Sequence, residues 1–268
     1  MWTRLCVPVL AGLSLFLQGC DEILDGAWNS VQEDFHYNYP LNAGGRLEVE
    51  NQNGPIDISG WDQNTVDISG TKYASSQERL KELRVEVSPS SNVVTIRTIR
   101  ADSHWGSGGV RYTIRVPRRT ELSRIVSSNG PIHVESIDGA ALLRTSNGPV
   151  RGVGVTGSLE VETSNGPVNV TDIGGPATVH TSNGPIELTF DALREVHATT
   201  SNGPITLRVP AGAGGSIRAH TSNGGVHSDF DVTTHGIISK HSLDGTFGSG
   251  GPMLDLSTSN GGIRILRR

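Results

Sequence analysis

The chain has 268 residues and a formal net charge of −5, with 34 glycines and only 5% aromatic residues. Glycine weakens helices and few large rings are present to build a core, so this composition argues against a compact helical enzyme. Regularly placed valine, isoleucine and leucine argue against disorder, and the absence of long basic runs excludes an electrostatic signature of nucleic-acid binding.

The first residues have the pattern of a lipoprotein signal peptide. The apolar stretch at 5–16 is too short to span a membrane and has the length of a signal-peptide core. Leu17-Gln18-Gly19-Cys20 then resembles the lipobox of bacterial lipoproteins, in which the cysteine becomes the lipidated first residue. The sequence therefore predicts a signal peptide over 1–19, a lipid on Cys20 and an anchor in the inner or the outer membrane. An ordinary signal peptide is the alternative.

Residues 20–40 are interpreted as a tether, and 41–124 as a first solenoid coil followed by a cap. The motif NQNGPI around Asn53 is flanked by apolar residues at every second position. The segment 75–84 is the one predicted helix, and 93–97 and 112–117 are predicted strands. We expect the part after the first coil to cover the open N-terminal end of the solenoid.

From 125 to 268 the chain repeats a SNGP or SNGG turn at intervals of 18, 18, 18, 19 and 21 residues, and a last copy at Asn260 follows a degraded one at Asp244. Apolar residues alternate on both sides of each turn, which is the period of a half-buried strand. One such coil cannot bury its own apolar side, but stacked coils can. The pattern predicts an all-β, parallel two-sheet β-solenoid with consecutive coils ~4.8 Å apart. A three-sided hexapeptide helix is rejected because the apolar positions do not recur every six residues.

The turn residues have a structural explanation. Asparagine tolerates and glycine freely adopts left-handed backbone, and the proline that often follows has no N–H to donate to a ladder. Asparagines stacked on neighbouring coils can form an amide ladder, and the threonine two residues earlier keeps the inward phase. The predicted structural turn residues are Asn129, Gly130, Asn147, Gly148, Asn165, Gly166, Asn183, Gly184, Asn202, Gly203, Asn223 and Gly224.

These motifs resemble a known family. The segment GGRLEVENQNGPIDISGW, the strand ending in Val116-Pro117 and the serial TSNG turns are similar to the bacterial "putative adhesin" family, domain-of-unknown-function family 4097. The resemblance covers about residues 41–268. It implies an extracytoplasmic β-solenoid, and it supplies no catalytic or binding residues to transfer.

A possible recognition strip is the one functional candidate on the array. It comprises the outward-facing Arg144, Glu162, His180, Arg218 and His220. Arg144 and Glu162 should form a cross-strand ion pair worth ~0.2–1 kcal/mol. With one coil between them, His180 and His220 should lie ~10 Å apart, too far for one metal ion. Ordinary solvated strand surface is the alternative interpretation.

The sequence contains no recognisable catalytic, metal or cofactor motif, so no cofactor is expected. The function favoured is a non-catalytic lipoprotein of the bacterial cell envelope, which uses a solenoid surface for adhesion, scaffolding or binding of an envelope protein or glycan. The alternative is a carbohydrate-active β-helix enzyme, a lyase or hydrolase. It needs acidic groups converging in a groove, and Asp229, Asp231 and Asp255 are its candidates.

Overall fold

The computed structural model describes residues 30–100, 108–234 and 239–268. The protein is nearly all β, with 70% strand and 3% helix, and it forms the β-solenoid that the sequence predicts. The predicted signal peptide and Cys20 lie outside the described residues. Among the described residues, no helix has the length and apolar character needed to cross a bilayer.

The elements follow one another with short connections. In chain order they are β1 (Val31–Pro40), β2 (Arg46–Asn53), β3 (Ile56–Trp61), β4 (Thr65–Ala74), α1 (Gln77–Glu82), β5 (Leu83–Pro89), β6 (Val93–Arg100), β7 (Gly108–Pro117), β8 (Glu121–Asn129), β9 (Ile132–Ile137), β10 (Ala141–Asn147), β11 (Val150–Val155), β12 (Leu159–Asn165), β13 (Val168–Ile173), β14 (Ala177–Asn183), β15 (Ile186–Phe190), β16 (Val196–Asn202), β17 (Ile205–Val209), β18 (Gly215–Asn223), β19 (Val226–Ser228), β20 (Val232–Thr234), β21 (Ser242–Phe247), β22 (Met253–Asn260) and β23 (Ile263–Arg267).

The strands form two sheets, and each coil contributes one strand to each. The 11-stranded sheet, called sheet 1, has the order β1-β4-β7-β3-β9-β11-β13-β15-β17-β23-β19. The 12-stranded sheet, called sheet 2, has the order β5-β6-β2-β8-β10-β12-β14-β16-β22-β18-β21-β20. Within the coils the pairing is parallel and keeps equivalent repeat positions side by side, as in Leu143↔Val161.

The core lies between the two sheets and consists of stacked rows of like residues. Leu143, Val161 and Val179 form one such row in sheet 2, and Val150 and Val168 begin another in sheet 1. All five are almost completely buried. Burying a side chain of this size contributes roughly 1.5–3 kcal/mol, so stacking stabilises coils that could not fold singly.

The coil order departs from the chain order at both ends of the solenoid. The first coil, β2–β3, lies between β6–β7 and β8–β9. The last coil, β22–β23, lies between β16–β17 and β18–β19. The expected sequential stacking is therefore wrong at these two places. The C-terminal strand is an interior strand of sheet 1, not an open end.

Antiparallel strands extend both sheets at the N-terminal end and sheet 2 alone at the other end, where sheet 1 finishes with the parallel strand β19. At the N-terminal end β1 and β4 extend sheet 1, β5 extends sheet 2, and α1 packs beside them. Ser76 caps α1, whose span is shorter than the predicted 75–84 because β5 begins at Leu83. At the other end β20 and β21 extend sheet 2, and the ring of Phe247 on β21 packs 4.7 Å from that of Phe230, which lies just before β20.

Two predicted boundaries need correction. The predicted tether over 20–40 is a strand from Val31 onward, because β1 pairs with β4 along its whole length. The predicted cap contains the complete coil β6–β7, so only part of it covers the end.

Candidate recognition surface

The asparagines of the turns form one continuous amide ladder along the corner between the sheets. Each Nδ2 donates to the Oδ1 of the asparagine on the adjacent coil at 2.8–2.9 Å. In spatial order the ladder comprises Asn53, Asn129, Asn147, Asn165, Asn183, Asn202, Asn260 and Asn223. At its N-terminal end Asn53 donates to the Gly108 carbonyl at 3.0 Å. All donors point the same way, so the ladder joins every parallel coil from β2 to β18.

A second set of hydrogen bonds lies beneath the asparagines. The threonine of each TSN motif is buried, as predicted, and its Oγ1 donates to a turn glycine carbonyl on the adjacent coil. Thr221 makes the shortest of these bonds, 2.8 Å to Gly261. Each pair of adjacent coils is therefore joined by two side-chain hydrogen bonds, one between asparagines and one from threonine to a glycine carbonyl. Together they fix the register of the coils at this corner.

The turn glycines are required by the close approach of adjacent coils. A Cβ on Gly148 would lie 2.3 Å from the Gly130 carbonyl oxygen, and one on Gly166 would lie 2.1 Å from that of Gly148. A Cβ does not approach a non-bonded oxygen this closely in proteins, so any side chain at these positions would displace the backbone.

Exposed serines form a row beside the asparagine ladder on the outer face of sheet 2. Ser146, Ser164, Ser201, Ser259 and Ser222 are exposed, and Ser182 is half-buried. None of these hydroxyls bonds to another described residue. The row was not singled out from the sequence, although the signal was present, since inward threonine places the next residue outward. It presents one hydroxyl per coil, ~4.8 Å apart.

The predicted recognition strip lies on the same face but is not continuous. Arg144, Glu162 and His180 are adjacent on β10, β12 and β14. His220 follows only after residues of β16 and β22, so it lies three strand spacings from His180, ~14 Å, and not the predicted ~10 Å. Arg218 lies in a different row, beside Asp255. The inserted last coil therefore separates the strip into two parts.

Most charges on this face are paired. Arg144 contacts Glu160 and Glu162, each at 3.1 Å, which confirms the predicted ion pair. His197 contacts Asp255 at 3.2 Å. These side chains are 38–55% exposed, and exposed pairs contribute ~0–1 kcal/mol each. The face therefore carries alternating charge and no large field of one sign.

A separate charged cluster lies on the outer face of sheet 1 near the N-terminal end. The Asp67 carboxylate, only 9% exposed, contacts His36 at 2.8 Å and Arg115 at 3.2 Å. Burial raises the pKa of Asp67, but hydrogen bonds from His36, Arg115 and Asn38 outweigh burial and hold it below its ordinary value. The Arg115 guanidinium also stacks 4.5 Å over the Trp61 ring. The cluster joins β1, β4 and β7, so it stabilises the cap.

The acidic candidates for catalysis do not converge. Asp255 lies on sheet 2, whereas Asp229 follows β19 of sheet 1 and accepts a hydrogen bond from the Arg267 backbone N–H. In the described part of the chain, no group of three or more His, Cys, Asp or Glu side chains is placed to hold a metal ion. A shallow groove crosses four coils at the other corner of sheet 2, between Glu121 and Thr178, with Ala140 and Ser158 in its wall. It contains no nucleophile–base pair among the described residues, so the enzyme alternative gains no support.

Comparison with known families gives one match, to the family described as Toastrack DUF4097, over residues 30–266. A search of curated proteins found no match. Solved structures with a similar fold include a "putative adhesin" from Bacteroides fragilis, which is 17% identical with a TM-score of 0.46, covering 87% of this chain and 97% of that one. A "putative lipid binding protein" from Parabacteroides distasonis is 14% identical, with a TM-score of 0.42 and coverage of 87% and 96%. A "putative cell adhesion protein" from Clostridium sporogenes is 12% identical, with a TM-score of 0.35 and coverage of 88% and 100%.

Proposed function

The chain belongs to the Toastrack family of DUF4097 proteins, and we propose that it is a non-catalytic protein of the bacterial cell envelope that binds a partner through sheet 2. The partner is an envelope protein or a glycan. The binding surface, called the central face, comprises Arg144, Glu162 and His180 together with the neighbouring serine hydroxyls. Cys20 carries the lipid that anchors the chain to a membrane.

The observation that carries this proposal is the regular row of exposed serine hydroxyls beside a row of charged side chains on sheet 2. The exposed hydroxyls of Ser146 and Ser164 have no hydrogen-bond partner among the described residues, and Arg144 and Glu162 lie in the adjacent row. The buried threonines and the asparagine ladder hold these positions one coil apart, so little conformational entropy is lost when a partner binds. Hydroxyls and alternating charges suit a polar partner, and they give selectivity more than affinity.

Recovery of partners from intact envelopes tests the binding surface. One variant removes the hydroxyls, Ser146→Ala with Ser164→Ala, and a second reverses the charges, Arg144→Glu with Glu162→Arg. The matched control reverses charges on the outer face of sheet 1, Arg151→Glu with Glu187→Arg, where both side chains are exposed. We expect the two central-face variants to lose the partner and the control to retain it, with all three keeping the wild-type circular dichroism spectrum. Equal recovery by all variants would show that the central face is ordinary surface.

A separate measurement tests the anchor. Mass spectrometry of the mature N-terminus should find a diacylglycerol-modified Cys20, and Cys20→Ala should release the protein from membranes. Cys6→Ala is the control, because residue 6 lies within the proposed signal peptide. A Cys20→Ala protein that remains equally membrane-bound contradicts lipid anchoring.

A further inference from the structure

The last coil of the chain occupies a slot formed by two coils that precede it. β22 lies between β16 and β18, with Asn260 paired to Asn202 on one side and to Asn223 on the other. β23 lies between β17 and β19 in the same way, through Ile263. Both coils that border this slot, β16–β17 and β18–β19, therefore precede in the chain the coil that fills it.

This coil is joined to the preceding strand β21 by one glycine-rich segment, Gly248-Ser249-Gly250-Gly251-Pro252, called the hinge. Gly248, Gly250 and Gly251 have φ values of 59°, 73° and 137°, which glycine adopts without steric cost. A Cβ on Gly250 would meet no atom within 4 Å, whereas a Cβ on Gly248 would lie 2.9 Å from the Ala213 carbonyl oxygen, so the hinge is open to solvent only on the outward side of Gly250. A few backbone rotations here would direct the whole coil away from its own slot.

The hydrogen bonds within the slot are those that any two adjacent coils of the repeat make. The last coil of a second copy of the protein could therefore make them as well. Thr258 donates to the Gly203 carbonyl at 2.9 Å, and Thr221 donates to Gly261 at 2.8 Å. The last residue, Arg268, pairs with Asp172 at 2.9 Å and also contacts Asp191. A coil donated by another molecule would make every one of these bonds, and exchange of identical elements is a low-cost route to dimers.

From this arrangement we propose that the slot accepts the C-terminal coil of a second copy of this chain, so that two molecules form a dimer by reciprocal exchange of β22–β23. The hinge is the segment that changes conformation. Only the hinge differs between the monomer and each half of the exchanged dimer. Chain concentration during folding therefore decides which form is made.

Shortening the hinge tests the proposal directly. The hinge connects the end of β21 to the start of β22, on opposite sides of β18, a distance of ~9.6 Å. Deleting 248–251 leaves two peptide units, which reach only ~7 Å when fully extended, less than this distance. We expect the shortened protein to be a dimer by light scattering, and a control with a duplicated hinge to be a monomer. A folded monomer with the shortened hinge overturns the proposal.

A second measurement applies even if the shortened protein does not fold. Thr199 and Ser257 are paired outward-facing residues of β16 and β22, and the spacing of paired strands is compatible with a disulfide. The test variant is the full chain with both native cysteines replaced by serine. It carries Thr199→Cys and Ser257→Cys, so its only two thiols are at positions 199 and 257. If the coils exchange, protein refolded at high concentration and then oxidised should run as a disulfide-linked dimer on a non-reducing gel. Protein refolded at low concentration should form the disulfide within one chain and run as a monomer. Monomer alone at every concentration contradicts exchange.

Discussion

The side chain of Asn260 donates a hydrogen bond to Asn202 at 2.8 Å, across 58 residues of sequence. Asn223, which follows Asn202 in the repeat, donates instead to Asn260 at 2.9 Å. The ladder thus follows the order of coils in space and not their order in the chain. Because every coil from β2 to β18 offers the same donor and acceptor, the repeat accommodates an inserted coil without breaking the ladder.

Replacing a central asparagine should weaken the solenoid measurably. Asn165→Ala removes two ladder bonds, one to Asn147 and one from Asn183, each 2.9 Å. At ~0.5–1.5 kcal/mol for each bond, we expect the free energy of unfolding to fall by about 1–3 kcal/mol in urea denaturation. Asn169→Ala is the control, because that exposed side chain makes only a 3.5 Å contact with Glu187. Equal stability of the two variants would mean that the ladder does not stabilise the fold.

The strand phase could be predicted from the sequence because it is a local property. Thr181 is followed by Ser182 and Asn183, so an inward threonine fixes which neighbours face outward. The coil order could not be predicted in this way. Asn223 and Asn260 both end a TSN motif, so the repeat alone would allow either of them to pair with Asn202, whereas the structure pairs Asn260 with it. Only the hinge length and the end caps distinguish the two arrangements.

The candidate surface was predicted in part for the same reason. Arg144 and Glu162 are on consecutive coils in the middle of the array, and their contact follows directly from the repeat. Arg218 and His220 lie beyond the inserted coil. The distance predicted from the order of coils in the sequence was therefore one strand spacing too short. The edge strand β1 was also missed, because its partner β4 belongs to the segment without the repeat.

Turn glycines in the array should tolerate no side chain. In Gly166→Ala the new Cβ would lie 2.1 Å from the Gly148 carbonyl oxygen, and forced overpacking of this kind costs ~1–3 kcal/mol. We expect a lower midpoint of thermal unfolding for this variant. Gly212→Ala is the matched control, because a Cβ there meets no atom within 4 Å, and it should unfold like the wild type. A Gly166→Ala protein that is as stable as the control would contradict the close approach of the coils.

Acid should weaken the N-terminal cap through Asp67. Its folded pKa lies below the ordinary value of 3.8, so the unfolded chain takes up the proton first as the pH falls. The stabilisation from this carboxylate is therefore complete above about pH 5 and is lost as the pH falls through the folded pKa. Denaturation curves from pH 7 to pH 2 should show the stability advantage of the wild type over Asp67→Asn shrinking below pH 4. Asp57→Asn, which changes an exposed carboxyl of β3, should follow the wild type, and a constant difference between wild type and Asp67→Asn would contradict this role.

The insertion of the last coil is the central structural claim, and a comparison of two engineered disulfides tests it most directly. Ser201 and Ser259 precede the paired Asn202 and Asn260, so they are on adjacent strands. Ser222 lies one strand further, ~9.6 Å from Ser201. In dilute oxidised protein lacking the native cysteines, the Ser201→Cys, Ser259→Cys pair should form an internal disulfide, and the Ser201→Cys, Ser222→Cys pair should remain reduced. The opposite result, a disulfide between 201 and 222 only, would contradict the inserted coil and restore stacking in chain order.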